Sequence, residues 1–166
     1  MTDLAPAVAN QLVTRGQEAM TLDIGAQNSH QNQPHLDQLV RQLDVKGRLT
    51  PALTIRSLCT GHFGFFETAA ARRAGIDPAN ARALIANNDE KSMAALCKAA
   101  KLPRAVADVV IIAKKLRGGI PDPDGRQGRE AFQNALIERC RGRYPDLIAG
   151  KPETLIAKLA PFQGSS

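Results

Sequence analysis

Glycine and proline punctuate this chain so often that no regular element can grow long. Gly47, Gly61, Gly75 and the pair Gly118-Gly119 close stretches of helical spacing, and Thr50-Pro51, Asp77-Pro78, Pro103 and Pro152 open new ones. A capping side-chain oxygen ahead of a first-turn proline starts a helix, and glycine just past the last turn stops one. Short helices joined by tight turns are the expected outcome.

Apolar spacing between these marks supports that reading. Leu36, Leu39, Val40 and Leu43 share one helical face, as do Leu53, Ile55, Leu58 and Cys59. The same holds for Ala81, Leu84 and Ile85; for Met93, Leu96 and Cys97; and for Val106, Val109, Val110 and Ala113. Phe132, Leu136, Ile137 and Cys140, and then Leu155, Ile156 and Leu159, complete the series. The one sustained β-branched run is Val109 to Ile112, and aromatics are only 4% of the chain, so helix is favoured over sheet. With 43% hydrophobic residues, the chain can bury a core. The expected fold is all-α, a compact stack of about seven to nine short helices with partly HEAT-like helical-repeat character. Residues 1–30 read as an N-terminal helix (Leu4, Val8, Leu12, Val13) and a polar linker, 34–160 as the helical domain and 161–166 as a flexible tail.

No stretch approaches the roughly 18 apolar residues that span a bilayer, so no membrane insertion is expected. Met1-Thr2-Asp3-Leu4 lacks the basic start and apolar block of a signal peptide. Cys59, Cys97 and Cys140 are odd in number and far apart, which argues against a disulfide framework and for a reducing cytoplasm.

The net charge of +6 is uneven: residues 72–151 hold 16 Lys/Arg against 9 Asp/Glu, a net +7. Such a half suits nucleic acid, acidic protein or anionic lipid. Its cations (Arg72-Arg73, Lys98, Lys101, Arg104, Lys114-Lys115-Arg117 and Arg139-Arg141-Arg143) also cluster near expected helix C-terminal ends, where the helix dipole favours them for structural reasons alone.

Cys59-x-x-His62 is the one pair with metal-like spacing, and a zinc site would need two further ligands that no second short-spaced pair supplies. The competing reading makes Cys59 a small core residue and His62 the start of a helix. No Ser sits in a glycine-flanked nucleophile turn, and no Gly-rich phosphate loop is present. Asp122, Asp124 and Glu130 do not complete a calcium ladder and read as a turn. No catalytic, cofactor-binding or metal residue is assigned, and an enzyme is not expected.

Phe63, Phe65 and Phe66 form the densest aromatic stretch, and Phe65 and Phe66 point about 100° apart on one helix. They read as packing, with docking as the alternative for Phe65. Arg56 and Glu67 lie on consecutive helices at a spacing that would let them pair.

The run from Gly47 through Arg48-Leu49-Thr50-Pro51, Arg56, Leu58-Cys59-Thr60-Gly61 and Phe65-Phe66-Glu67 to Gly75 resembles a bacterial family, the domain of unknown function 2336, whose members carry a similar RLTPxLxxRxLCxGxxxFFExALAxLAG pattern. Asn80 to Ile85 is similar to the family's xARxLI, Ala99 to Pro103 to its AGLP, and Arg129 to Leu147 to its penultimate helix, where an ERxxxxY pattern precedes an acidic turn. The similarity spans most of residues 34–160. Arg72-Arg73 replaces a more apolar pair, and residues 86–93 lack the usual glycine-rich turn. Longer relatives place HEAT-like repeats ahead of this region, so the resemblance implies either the C-terminal part of such a longer protein or a short member of the family. It implies no reaction.

The function expected from these readings is a protein–protein interaction adaptor or scaffold, its partner another protein, with Arg56, Phe65, Glu67 and Arg82 as the possible interaction surface. Nucleic-acid binding by the basic C-terminal half is the alternative.

Overall fold

The computed structural model describes residues 21–22, 33–87 and 89–160. The readings of a helix over residues 4–13, a linker over 25–32 and a flexible tail lie outside them. Among the described residues, eight helices follow the pair Thr21–Leu22: α1 (Gln33–Val45), α2 (Pro51–Cys59), α3 (Phe63–Ala74), α4 (Pro78–Ala86), α5 (Glu90–Ala99), α6 (Arg104–Gly118), α7 (Arg126–Cys140) and α8 (Pro152–Leu159). No strand occurs among the described residues, and the fold is all-α.

The caps explain where helices begin. Thr50 Oγ1 accepts from the Leu53 amide at 3.1 Å, Asp77 Oδ1 from Ala79 at 2.8 Å and Asp89 Oδ1 from Lys91 at 3.1 Å. Pro51 and Pro78 fill first-turn positions that have no amide to satisfy. Four of the turns that end helices share one geometry. Gly47, Gly61, Gly75 and Lys101 are left-handed (φ 70°, 88°, 74° and 61°). The amide after each bonds back to the helix: Arg48 to Leu43, His62 to Ser57, Ile76 to Ala71 and Leu102 to Cys97, at 2.8–3.0 Å. This is the Schellman arrangement, which satisfies the helix's last carbonyls. At Gly61 glycine is needed twice over, because a Cβ would also press on Arg129 Cγ at 3.2 Å.

α3 separates two apolar clusters. Phe63, Phe66, Ala70 and Ala71 face the larger one, built with α2 and α4 to α8. Phe65 and Ala69 face a smaller one made with Leu22, Leu36, Val40, Leu43, Leu49 and Leu53. Two phenylalanines pointing in different directions are both buried because the helix has a core on each side. The Phe63 and Phe66 rings meet tilted at 41°, with centroids 6.1 Å apart. α1 and α2 pack on α3, α5 on α6, α6 on α7, and α8 on α2 and α7.

Candidate functional site

The C-terminal ends of α1, α3 and α5 meet at one edge, and Arg73 explains why. Its NH1 donates to the Leu49 carbonyl at 2.7 Å and its Nε to the Ala100 carbonyl at 2.9 Å. One guanidinium thus binds the turn after α1 to the turn after α5. Beside it, Arg72 Nε pairs with Asp44 Oδ2 at 2.7 Å, tying α3 to α1. Partial burial pulls the Arg73 pKa down and Asp44 pulls it up, burial having the larger effect. The two arginines that interrupt the apolar pattern in the sequence are the fasteners of this edge.

Around this clamp stand Lys46, Arg48, Lys98, Lys101 and Arg104, all exposed and, among the described residues, without an ion-pair partner. Val45, 77% exposed, precedes Lys46. Each helix C-terminus contributes roughly −0.5 of a charge. Three such ends with Asp44 and Asp77 offset only part of the seven cations there, so the edge remains electropositive. A cleft of about 180 Å³ borders it, lined by Asp37, Val40, Arg41, Thr68, Arg72, Ile76 and Pro78. It is smaller than the roughly 300 Å³ at which small-molecule sites begin.

The four residues expected to share a surface lie in three different places. Arg56 is 3% exposed. Its guanidinium forks onto the Glu153 carboxylate of α8, with NH2 to Oε1 at 3.0 Å. The anticipated Arg56–Glu67 pair is therefore corrected: the carboxylate comes from a helix 97 residues further along the chain, a contact that helix-to-helix spacing could not reveal. Phe65, 3% exposed, is packing in the smaller cluster. Glu67 and Arg82 lie on the packed helices α3 and α4, near enough to feel each other's charge, with no hydrogen bond or ion pair joining them among the described residues. Burial raises the Glu67 pKa, while Arg82, Arg117 and Lys114 oppose the shift. Arg82 NH1 is buried without a hydrogen-bond partner. Arg117 lies 4.8 Å over the Phe63 ring and forks onto Asp124 at 3.0 and 3.4 Å, and Lys114 donates to the Ile85 carbonyl. This network ties α3, α4, α6 and the turn before α7 together.

The Cys59–His62 pair does not gather ligands. His62 Nδ1 lies 2.9 Å from Thr60 Oγ1. Cys59 is buried, and its thiol is held far above the ordinary range, burial being the main cause. Among the described residues no group of three or more His, Cys, Asp or Glu side chains could hold a metal ion. Burial likewise pushes Cys97 up to about 12 and raises Cys140, so these thiols are poor nucleophiles. No described helix is long and apolar enough to cross a membrane.

Sequence reasoning missed the Arg73 clamp and the Glu153 partner. The only signal for the first was the charged pair standing in an apolar pattern; nothing local signalled the second.

No curated protein and no solved structure matches the chain. A family model does match, over residues 2–148; it begins well ahead of the stretch that carried the resemblance and stops short of α8. The chain belongs to the family described as an uncharacterised protein conserved in bacteria, DUF2336.

Proposed function

We propose that this chain is a non-catalytic adaptor of the bacterial cytoplasm that docks an acidic protein partner on the edge where α1, α3 and α5 end. The observation that carries the reading is the group of five exposed cations, Lys46, Arg48, Lys98, Lys101 and Arg104, without an ion-pair partner among the described residues, beside turns that Arg73 ties together. Carboxylates of a partner would complete these charges, and Val45 offers an apolar contact within them. Nucleic acid is the weaker reading for the same cations. The described phenylalanines are buried, which removes them as stacking platforms for bases.

The test is binding of the purified chain to a fluorescent peptide of alternating Glu and Leu, and to a DNA duplex, over a range of salt. Triple reversal Lys98→Glu, Lys101→Glu, Arg104→Glu is expected to weaken peptide binding at least about tenfold, with the far-ultraviolet circular dichroism unchanged. Tight duplex binding with steep salt dependence and no peptide binding would replace the adaptor reading with the nucleic-acid one.

A further inference from the structure

Arg73 is held by two carbonyls and still has donors to give. Its NH1 donates to Leu49 and its Nε to Ala100, at 2.7 and 2.9 Å. NH2 carries two further N–H groups. Nothing bonds that nitrogen among the described residues, and it is not buried. The two backbone bonds fix the plane of the guanidinium, so the free donors stand in a set direction before any ligand arrives. The same bonds decide which cations are its neighbours. Arg48 precedes Leu49 and Lys101 follows Ala100, so each stands next to a carbonyl that this guanidinium holds. Both are exposed, and neither has an ion-pair partner among the described residues. Asp44 acts on Arg73 from α1, but Arg72 already engages its carboxylate at 2.7 Å. Lys101 holds its place against its own backbone preference. Its φ of 61° lies in the left-handed region that Gly47, Gly61 and Gly75 fill at the equivalent turns, where folding alone favours glycine. Strain of this kind concentrates where a side chain serves more than the fold.

From this arrangement we infer that Arg73, Arg48 and Lys101 form a seat for a phosphoryl group, carried on a phosphorylated side chain of the acidic partner. The inference rests on the adaptor reading of this edge and adds the identity of its central acid. A carboxylate has one charge and two oxygens, which a single guanidinium answers in full. It would leave the charges of Arg48 and Lys101 unmatched. A phosphoryl ester carries about −1.5 to −2 charges at neutral pH and three acceptor oxygens. It offers one oxygen to each of the three cations, and its charge offsets most of theirs. Clusters built around an oriented arginine suit such a group, because the planar fork fits its oxygens and the flanking cations add charge.

The full chain is titrated with three fluorescent peptides. The first alternates Glu and Leu, the second has phosphoserine at the central Glu, and the third matches the added charge with one further Glu in place of a Leu. The phosphopeptide is expected to bind at least about tenfold more tightly than either of the others. Arg73→Lys, which cannot hold both carbonyls and present a fork, is expected to bring that ratio below about threefold. Lys101→Gly serves should the first variant fail to fold, because glycine suits the left-handed turn. It is expected to lower the ratio at least about threefold in a chain that melts no earlier than the wild type. A ratio that neither variant moves overturns the assignment to these residues. Equal binding of the three peptides overturns the phosphoryl seat and leaves the adaptor reading standing, whereas no binding of any of them overturns both. Inorganic phosphate that displaces the phosphopeptide as readily as unlabelled phosphopeptide does would make free phosphate the ligand. Vesicles of phosphatidylcholine with phosphatidic acid, if bound more tightly than the phosphopeptide, would make it a lipid headgroup. Either result overturns the stated source.

Discussion

Arg73 holds the carbonyl oxygen of Ala100, 27 residues further along the chain, through its Nε at 2.9 Å. The same guanidinium takes the Leu49 carbonyl. Removing it leaves two turn carbonyls without this donor, and charged hydrogen bonds of this kind contribute about 1.5–3 kcal/mol each when well shielded from water. Arg73 is only half-buried, so the lower part of that range applies. Arg73→Met, which keeps the stem and loses the fork, is expected to cost about 1–3 kcal/mol. Urea unfolding monitored by circular dichroism checks this, and Arg73→Lys should recover only part of the loss, because an ammonium cannot span both oxygens.

Lys101 occupies the left-handed region that glycine fills at the three equivalent turns. A side chain there costs about 1–2 kcal/mol, and glycine's greater freedom in the unfolded chain returns about 0.5–1 of that. Lys101→Gly is expected to stabilise the protein by about 0.5–1 kcal/mol. A lower denaturation midpoint in the variant would mean that the Lys101 side chain makes a contact worth more than the strain.

Glu67 has its pKa raised by burial. The folded form therefore holds this proton to a higher pH than the unfolded form does. Between the ordinary carboxylate value and the raised one, folding takes up a proton, so this group's contribution makes the protein less stable as pH rises through that window. Above it, the folded state carries a partly desolvated charge. Glu67→Gln is expected to be at least as stable as the wild type at pH 8, and its advantage should shrink as pH falls toward 4. Paired thermal melts at several pH values check both the sign and the window.

Gly128, in the first turn of α7, lies against the backbone of the preceding turn. A Cβ there would sit 2.0 Å from the Asp122 carbonyl oxygen and 2.8 Å from Pro123 Cα. Neither is the end of a flexible side chain, so the turn itself must move. Gly128→Ala is expected to cost about 1–3 kcal/mol. Gly142→Ala, where nothing lies within 4 Å, should stay within about 0.5 kcal/mol of wild type.

The local grammar of the chain was legible in its residues. Thr50-Pro51 and Asp77-Pro78 start helices where cap chemistry requires, and Gly47, Gly61 and Gly75 end them. Asp89 caps α5 as its place in an Asn-Asn-Asp turn suggests. Lys101 was not legible as a left-handed residue, because no lysine announces that conformation. The residues do echo, Lys101-Leu102 standing where Gly75-Ile76 stands in the earlier turn, and the two turns share one bond pattern. Long-range pairing was the part that failed. Arg56 and Glu67 are close in sequence and opposite in charge, yet the partner of Arg56 lies on α8. The double role of α3 was also hidden, since helical periodicity identifies apolar directions without saying that two separate cores receive them.

The separation of Arg56 from Glu153 also orders events on the ribosome. Arg56 emerges with α2, and its carboxylate is added 97 residues later. At about 5–20 residues per second, that leaves an interval of about 5–20 s in which this guanidinium must remain hydrated while its neighbours collapse around it. The larger cluster can close over Arg56 only after the last helix has left the exit tunnel, whereas the smaller cluster, complete by Ala69, is free to form well before. Synthesis from the N-terminus therefore favours assembling the described helices from the Phe65 side inward, with α8 joining after the others.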